Sequence, residues 1–365
     1  MLASLVHRRS LMALLIAFIL TTTPASADEV DYLPNGTFIL YSLDVAAGMK
    51  SKLYKEMTTK IKDFERGLGE MHGQIGIEPK NISRLLAGAA SFGHPEENMI
   101  VVTTIKPVTA ADIKAAKKPF PFFKNYKITE SKIGKYSVYE ESYTFDFGFD
   151  PKDKDGQDAK IQKGQVFCVA EENVVLFSRM ESMKKILEGN RKPKFSSGVA
   201  AGLKEVGLKA SLTVLLDLEA MPERERKEAA RGLAREIPGA AEAFETFKFL
   251  TLQGNAPDKV SLVGTLACKD ADSAANAVKL AKIGLGNIKE KIKKFDPNIP
   301  KSDQELLVEL GKLIDSIKLS SVGAQARGEF QVEARTAIAM VEALTGRPNV
   351  APPDKEFKKF DDEKK

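Results

Sequence analysis

The chain has 365 residues, 43% of them hydrophobic, with two Cys, no Trp and a formal net charge of +5. That length and apolar content suit a globular protein of about two domains and exclude a wholly disordered chain. The charge is close to balance and Lys alternates with Glu and Asp along the helical stretches. The one-sided basic face of a nucleic-acid binder is therefore not expected.

The N-terminus reads as an export signal. Met1–Ser10 carries Arg8 and Arg9 and no acid, and Leu11–Leu20 is unbroken apolar sequence. Thr21–Pro24 ends that run, and Ala25-Ser26-Ala27 puts small side chains where a signal peptidase needs them. The apolar run is short of the roughly 20 residues that span a bilayer. Cleavage after 27 starts the mature chain at Asp28 and removes Arg8 and Arg9, which takes the formal charge from +5 to +3. The expectation is an exported bacterial protein, periplasmic or extracellular, with no membrane span after cleavage. Retention of the leader as an anchor is the alternative; no Cys near the cleavage site supports a lipid anchor.

The mature chain then reads as one pattern twice. Thr37–Asp44 is a β-rich run ending on Asp44, and Ser211–Asp217 repeats it, ending on Asp217. Each Asp stands where it would cap a following helix. After the first run Met49, Leu53, Met57, Ile61, Phe64, Leu68 and Met71 recur at helical spacing; after the second, Glu223–Phe247 is charged, Ala-rich and broken at Pro238-Gly239. Each copy continues strand, turn, strand, helix: Leu85–Phe92, Met99–Ile105 and Thr109–Lys117 in the first, Phe247–Leu252, Val260–Cys268 and Ala271–Lys294 in the second. The first copy adds strands at Lys127–Glu130, Tyr136–Glu141 and Tyr143–Phe149 and a polar insert at Asp150–Lys163. Both copies close on a hairpin and a helix, with Ser178 and Glu181 spaced as a capping box in the first. The fold class expected is α+β, two related domains, each an antiparallel sheet covered by helices on one face. Their bounds are 1–27 signal, 28–188 first repeat, 189–198 linker, 199–346 second repeat and 347–365 charged tail.

The Leu33-Pro34-Asn35-Gly36-Thr37 entry, the strand ending in Asp44 and the Asn173–Ser178 strand before a Met/Lys helix resemble a group of exported bacterial proteins of unknown function, several of them planctomycete proteins with the same tandem organisation. The resemblance covers most of the mature chain. It implies a fold and transfers no site.

Catalytic motifs are scarce. His72 and His94 are the mature chain's histidines, and no H-E-x-x-H or paired C-x-x-C accompanies them, so no metal is expected. Ser182 and Lys185 have S-x-x-K spacing without the partner motifs, and helix surface is the preferred reading. Asp150, Asp153, Asp155 and Asp158 surround Gly156, but Pro151 and Gln162 fall on the first and last ligand positions of a calcium loop and break it. Cys168 and Cys268 lie in apolar strand-like runs and read as two small buried hydrophobes rather than a disulfide.

Tyr143, Phe145, Phe147 and Phe149 alternate with polar residues or Gly, which places four rings on one face of a strand. A core face is the preferred reading; exposed, these rings would be the chain's best ligand or partner surface, and Pro119–Phe123 could join it. The functional expectation is an exported non-catalytic protein, binding or structural, whose partner is a protein or envelope component, with no cofactor. The alternative is a hydrolase working through carboxylates.

Overall fold

The computed structural model describes residues 27–60, 64–91, 97–119, 123–145, 161–189, 192–255, 259–294, 301–333 and 336–337. The leader up to residue 26, His94, Phe147, Phe149, the Asp150–Asp158 cluster and the tail 347–365 lie outside them.

Among the described residues twelve strands form one antiparallel sheet, as the α+β reading expects. The first half supplies β1 (Ile39–Asp44), β2 (Ile82–Ala89), β3 (Asn98–Thr104), β4 (Phe123–Ile133), β5 (Tyr136–Phe145), β6 (Gln162–Glu171) and β7 (Val174–Ser178). The second supplies β8 (Leu212–Asp217), β9 (Phe247–Asn255), β10 (Lys259–Cys268), β11 (Lys318–Val322) and β12 (Gln325–Glu333). The spatial order is β11-β12-β10-β9-β8-β1-β2-β3-β7-β6-β5-β4.

Here the structure differs from two separate sheets. β1 pairs antiparallel with β8, Ile39 opposite Leu216 and Leu43 opposite Leu212, and this seam fuses the halves. Both strands are nearly continuous in apolar residues because the sheet is covered on both faces at the seam, Leu40 and Leu215 packing on one and Ile39 and Leu216 on the other. Outward from the seam the order is β1-β2-β3-β7-β6 on one side and β8-β9-β10-β12-β11 on the other. The two are the same arrangement, except that the first half adds the β4–β5 hairpin at its edge.

Helices lie on both faces rather than one. On the first face, α1 (Val45–Lys50), α2 (Lys52–Lys60), α3 (Phe64–Ile75) and α4 (Ala110–Ala116) cover the first half. Their Leu53, Met57, Phe64 and Ile113 pack with Val102 and Val175. α7 (Glu223–Glu236), α8 (Ala240–Phe244) and α9 (Ala271–Lys293) cover the second half, with Ala230 and Phe244 against Ile39 and Leu216, and Ala274 and Ala277 against Cys268. The opposite face carries a 3-10 turn (Ala27–Tyr32), α5 (Met180–Glu188) and α6 (Ser197–Val206), where Tyr32, Leu33, Met183 and Val199 bury Leu40, Val101 and Leu176. Central strands need apolar cover on both sides, and the segments flanking the seam supply it on the second. α10 (Lys301–Ser316) packs beside α9 and β12.

Several local expectations are refined. The Met-rich stripe is broken between α1 and α2, because Ser51 leaves helical backbone and its Oγ accepts from Tyr54 N at 3.0 Å, starting α2 afresh; Ile61 lies outside the described residues. Asp44 does cap α1, accepting from Ala47 N at 3.0 Å. Asp217 does not cap the helix that follows it: its Oδ1 accepts from Glu219 N and Ala220 N, and its Oδ2 accepts from Gly198 N in the first turn of α6 at 2.6 Å, clamping α6 to the sheet. A Cβ on Gly198 would stand 2.6 Å from Asp217 Cγ, so the clamp requires glycine there. Ser178 is not half of a capping box; its Oγ donates to the Asn98 carbonyl, and α5 starts without a side-chain cap.

Beneath the second face lies a buried charge cluster. Arg84 Nη1 donates to Ser42 Oγ at 2.8 Å and to the Leu208 carbonyl at 3.0 Å, while Nη2 meets Asp44 Oδ2 at 3.5 Å and Nε stands 3.9 Å from Glu29 Oε2. Glu29 Oε1 also accepts from Thr103 Oγ1 at 2.8 Å. These bonds tie the segment just after the expected cleavage site to β1, β2 and β3.

Cys168 and Cys268 are both free and buried, in clusters on opposite faces of the sheet. Burial pushes the Cys168 thiol up to about 12, where it stays protonated and inert at neutral pH.

Candidate ligand cleft

A cleft of about 370 Å³ opens on the first face, between the ends of α3 and α4 and the β4–β5 hairpin. Its position follows from the strand pattern. Tyr139, Glu141 and Tyr143 alternate along β5 and share one side. At the inner end Tyr139 stacks on Phe167 with centroids 5.0 Å apart, and Phe167 meets Phe177 at 6.2 Å; these rings are the cleft's foundation.

The hairpin is bent to shape the outer wall. The β4–β5 register slips between Lys124 and Lys127, and Asn125 has a φ of 51°. Asn125 Nδ2 donates to Thr144 Oγ1 at 3.2 Å, and Thr144 Oγ1 donates to the Lys124 carbonyl at 3.2 Å, holding the bulge. In a regular strand Phe123 and Tyr126 would point to opposite faces; the bulge brings both to the cleft. Phe123 lies flat on Tyr143, with centroids 3.8 Å apart and an interplanar angle of 7°.

The floor is polar and paired. Lys117, the residue after α4, has a side chain only 2% exposed and pairs with Glu141, at 11%. Its Nζ donates to the Gln74 carbonyl at 2.6 Å and stands 5.7 Å from the centroids of both Phe167 and Phe177, a distance at which cation–π attraction acts. Burial, then the charge of and hydrogen bond to the Glu141 carboxylate, push the Tyr126 phenol well above its ordinary value, so it keeps its proton as a donor to Glu141. Gly164 lets β6 approach this group: a Cβ there would lie 2.8 Å from Glu141 Cβ and 3.0 Å from Tyr143 Cε1. At the far rim Arg179 Nη1 donates to the carbonyls of Lys163 and Gly164, each at 2.6 Å.

No protein-family model and no curated protein matches the chain. A solved structure titled "Structure of crystal form I of TP0453" aligns over 88% of this chain and 98% of that one, at 9% identity and a TM-score of 0.42. At that level the likeness assigns neither a site nor an activity.

Of the four rings singled out in sequence, Tyr143 lines the cleft, half-buried. Phe145 ends β5 opposite Phe123 in register, and Phe147 and Phe149 lie outside the described residues. Phe123 joins the wall as the aromatic run 119–123 suggested. Sequence reasoning missed Lys117, Tyr126, Glu141, Gly164 and Arg179. The bulge and the ion pair link residues far apart in sequence, and only the Lys117-Lys118 pair after a capped helix was a local signal.

The other candidates are scattered. His72 sits in the last turn of α3. Among the described residues no three His, Cys, Asp or Glu side chains gather as a metal site. Ser182 is buried in α5 and Lys185 is exposed; both border a second cavity of about 360 Å³ on the opposite face, with Asp31 and Glu97. Among the described residues no helix is long and apolar enough to cross a membrane.

Proposed function

We propose that this chain is an exported, non-catalytic protein of the periplasm or cell envelope that binds its ligand in the cleft of Phe123, Tyr126, Tyr143 and Glu141. One observation carries the reading. A parallel aromatic pair stands half-buried at an open cavity whose polar floor is already held by an ion pair, a combination of apolar wall and fixed polar groups typical of small-molecule sites. A fragment screen followed by amide chemical shifts tests it. Hits should perturb Phe123, Tyr126, Tyr143 and Gly164 together and lose at least tenfold in affinity in Phe123→Ala, since truncating a buried aromatic anchor costs about 2 kcal/mol or more. Shifts scattered over the surface would defeat the proposal.

Export rests on the leader pattern of Arg8, Arg9, Leu11–Leu20 and Ala25-Ser26-Ala27. Sequencing the N-terminus of the protein recovered outside the cytoplasm should begin at Asp28; Met1 on that material would favour a retained anchor. The proposal takes the two halves as a duplication, supported by their shared strand order around the β1–β8 seam. Superposing β1-β2-β3-β7-β6 on β8-β9-β10-β12-β11 tests it, and divergent strand lengths and crossings would count against it.

A carboxylate hydrolase is the second reading, favoured by one feature: Asp31 and Glu97 border the same second cavity. It predicts turnover of aryl glycosides that Asp31→Asn and Glu97→Gln each abolish. Turnover that survives both substitutions would rule it out.

A further inference from the structure

We propose that the cleft selects an organic anion with a flat apolar body, an aromatic carboxylate being the simplest member of the class; this rests on the cleft being the binding site. The charges on its lining give the sign. Lys117 and Glu141 offset one another in the floor, whereas among the described residues Lys118 and Arg179 at the rim have no lining carboxylate to balance them. A cationic ligand would meet an excess of positive charge, and a neutral one would leave it unused.

Both rim cations are held in place. Lys118 N donates to the Gly73 carbonyl at 2.7 Å, and the Lys118 stem lies along Gly73, where a Cβ would come within 3.3 Å of Lys118 Cβ and 3.8 Å of its Cγ and Cδ. Among the described residues no group bonds the Lys118 ammonium. Arg179 spends Nη1 on two backbone carbonyls, which fixes the guanidinium plane. Its other edge, Nε with Nη2, takes no bond from the described residues, and that edge is the fork that grips a carboxylate through two parallel hydrogen bonds.

The flat body follows from the walls. Phe123 and Tyr143 lie parallel, and Ile100, 39% exposed, stands opposite Phe177 across the β3–β7 pairing. Such surfaces accept a planar ring by stacking and reject a branched or heavily hydrated one.

Three near-isosteric probes separate charge from shape: 1-naphthoate, 1-naphthylmethanol and 1-naphthylmethylamine, titrated against the mature protein by naphthalene fluorescence, which no Trp obscures. Naphthoate should bind about tenfold more tightly than the alcohol, with the amine weakest, and its advantage should shrink as salt rises. Lys118→Met should cost naphthoate about fivefold and leave the alcohol unchanged, a modest factor because the ammonium is exposed to water. Arg179→Lys keeps the charge but loses the fork, and should also weaken naphthoate alone. Equal binding of alcohol and naphthoate, both lost in Phe123→Ala, overturns the anion and leaves the cleft reading standing. No binding by any probe, or binding indifferent to Phe123→Ala, overturns both.

Discussion

Arg84→Met is expected to destabilise the fold by about 3–5 kcal/mol, the cost of leaving buried carboxylates without their cation. Asp44 is 0% exposed and Glu29 6%, so neither is positioned to recover hydration where it stands. The substitution also strips donors from Ser42 Oγ and the Leu208 carbonyl. Burial holds the Arg84 guanidinium below its ordinary value although Asp44 and Glu29 pull it upward, so desolvation outweighs attraction within the cluster. The cluster as a whole is therefore not a net source of stability, yet its members are costly to remove singly, because each removal leaves an uncompensated buried charge. Chemical denaturation should show the full loss in Arg84→Met and recovery of at least about 1 kcal/mol on adding Glu29→Gln, because contacting charges are not additive. A midpoint unchanged in the single variant would mean that the cluster is solvated and that Glu29 does not hold the N-terminal segment to the sheet.

The contrast between what the sequence showed and what it hid follows interaction range. The strands of the seam and the helix after Thr109 are written in local periodicity and caps, and they stand in the structure close to where the pattern puts them. The seam itself was hidden. Thr37–Asp44 and Ser211–Asp217 carry no mark saying that they pair with each other rather than each closing its own sheet. Cover on both faces was implied by their unbroken apolar runs, yet of the two helices supplying it on the second face only α5 was expected; α6 begins inside 189–198, where Lys, Pro and Ser suggested a linker. Asp217 shows the same limit. Its position matches that of Asp44, but Gly198 allows α6 to come close enough for its amide to bond Asp217 first.

The cleft divides in the same way. Alternating rings placed Tyr143 on a defined side of β5, a period-two statement that needs no tertiary knowledge. Whether that side was core or surface depended on what the hairpin faced. The positive φ at Asn125 turns Tyr126 inward, a one-residue slip invisible in a run such as Phe123–Ile133 that otherwise reads as a charged edge strand.

Lys117→Met is expected to cost about 3 kcal/mol, since Glu141 would keep the Tyr126 donor but lose its cation. Met fills most of the Lys stem and keeps the packing on Phe167 and Phe177, so the loss reports the charge and the bond to the Gln74 carbonyl rather than a void. Glu141→Gln alone strands the Lys117 ammonium and should cost a similar amount. The double variant should be more stable than the sum of the two losses by at least about 1.5 kcal/mol, the coupling of a buried pair. Strict additivity would show that the two groups are hydrated independently, and the cleft floor would then be wet rather than built. The cycle also bears on binding. A floor held by the pair keeps Tyr143 against Gly164 and Phe123, so Glu141→Leu should loosen the aromatic wall and weaken ligand affinity along with stability, whereas Lys118→Met should weaken affinity with stability unchanged. Separating the two readouts distinguishes the residues that shape the cleft from the rim cations that meet the ligand.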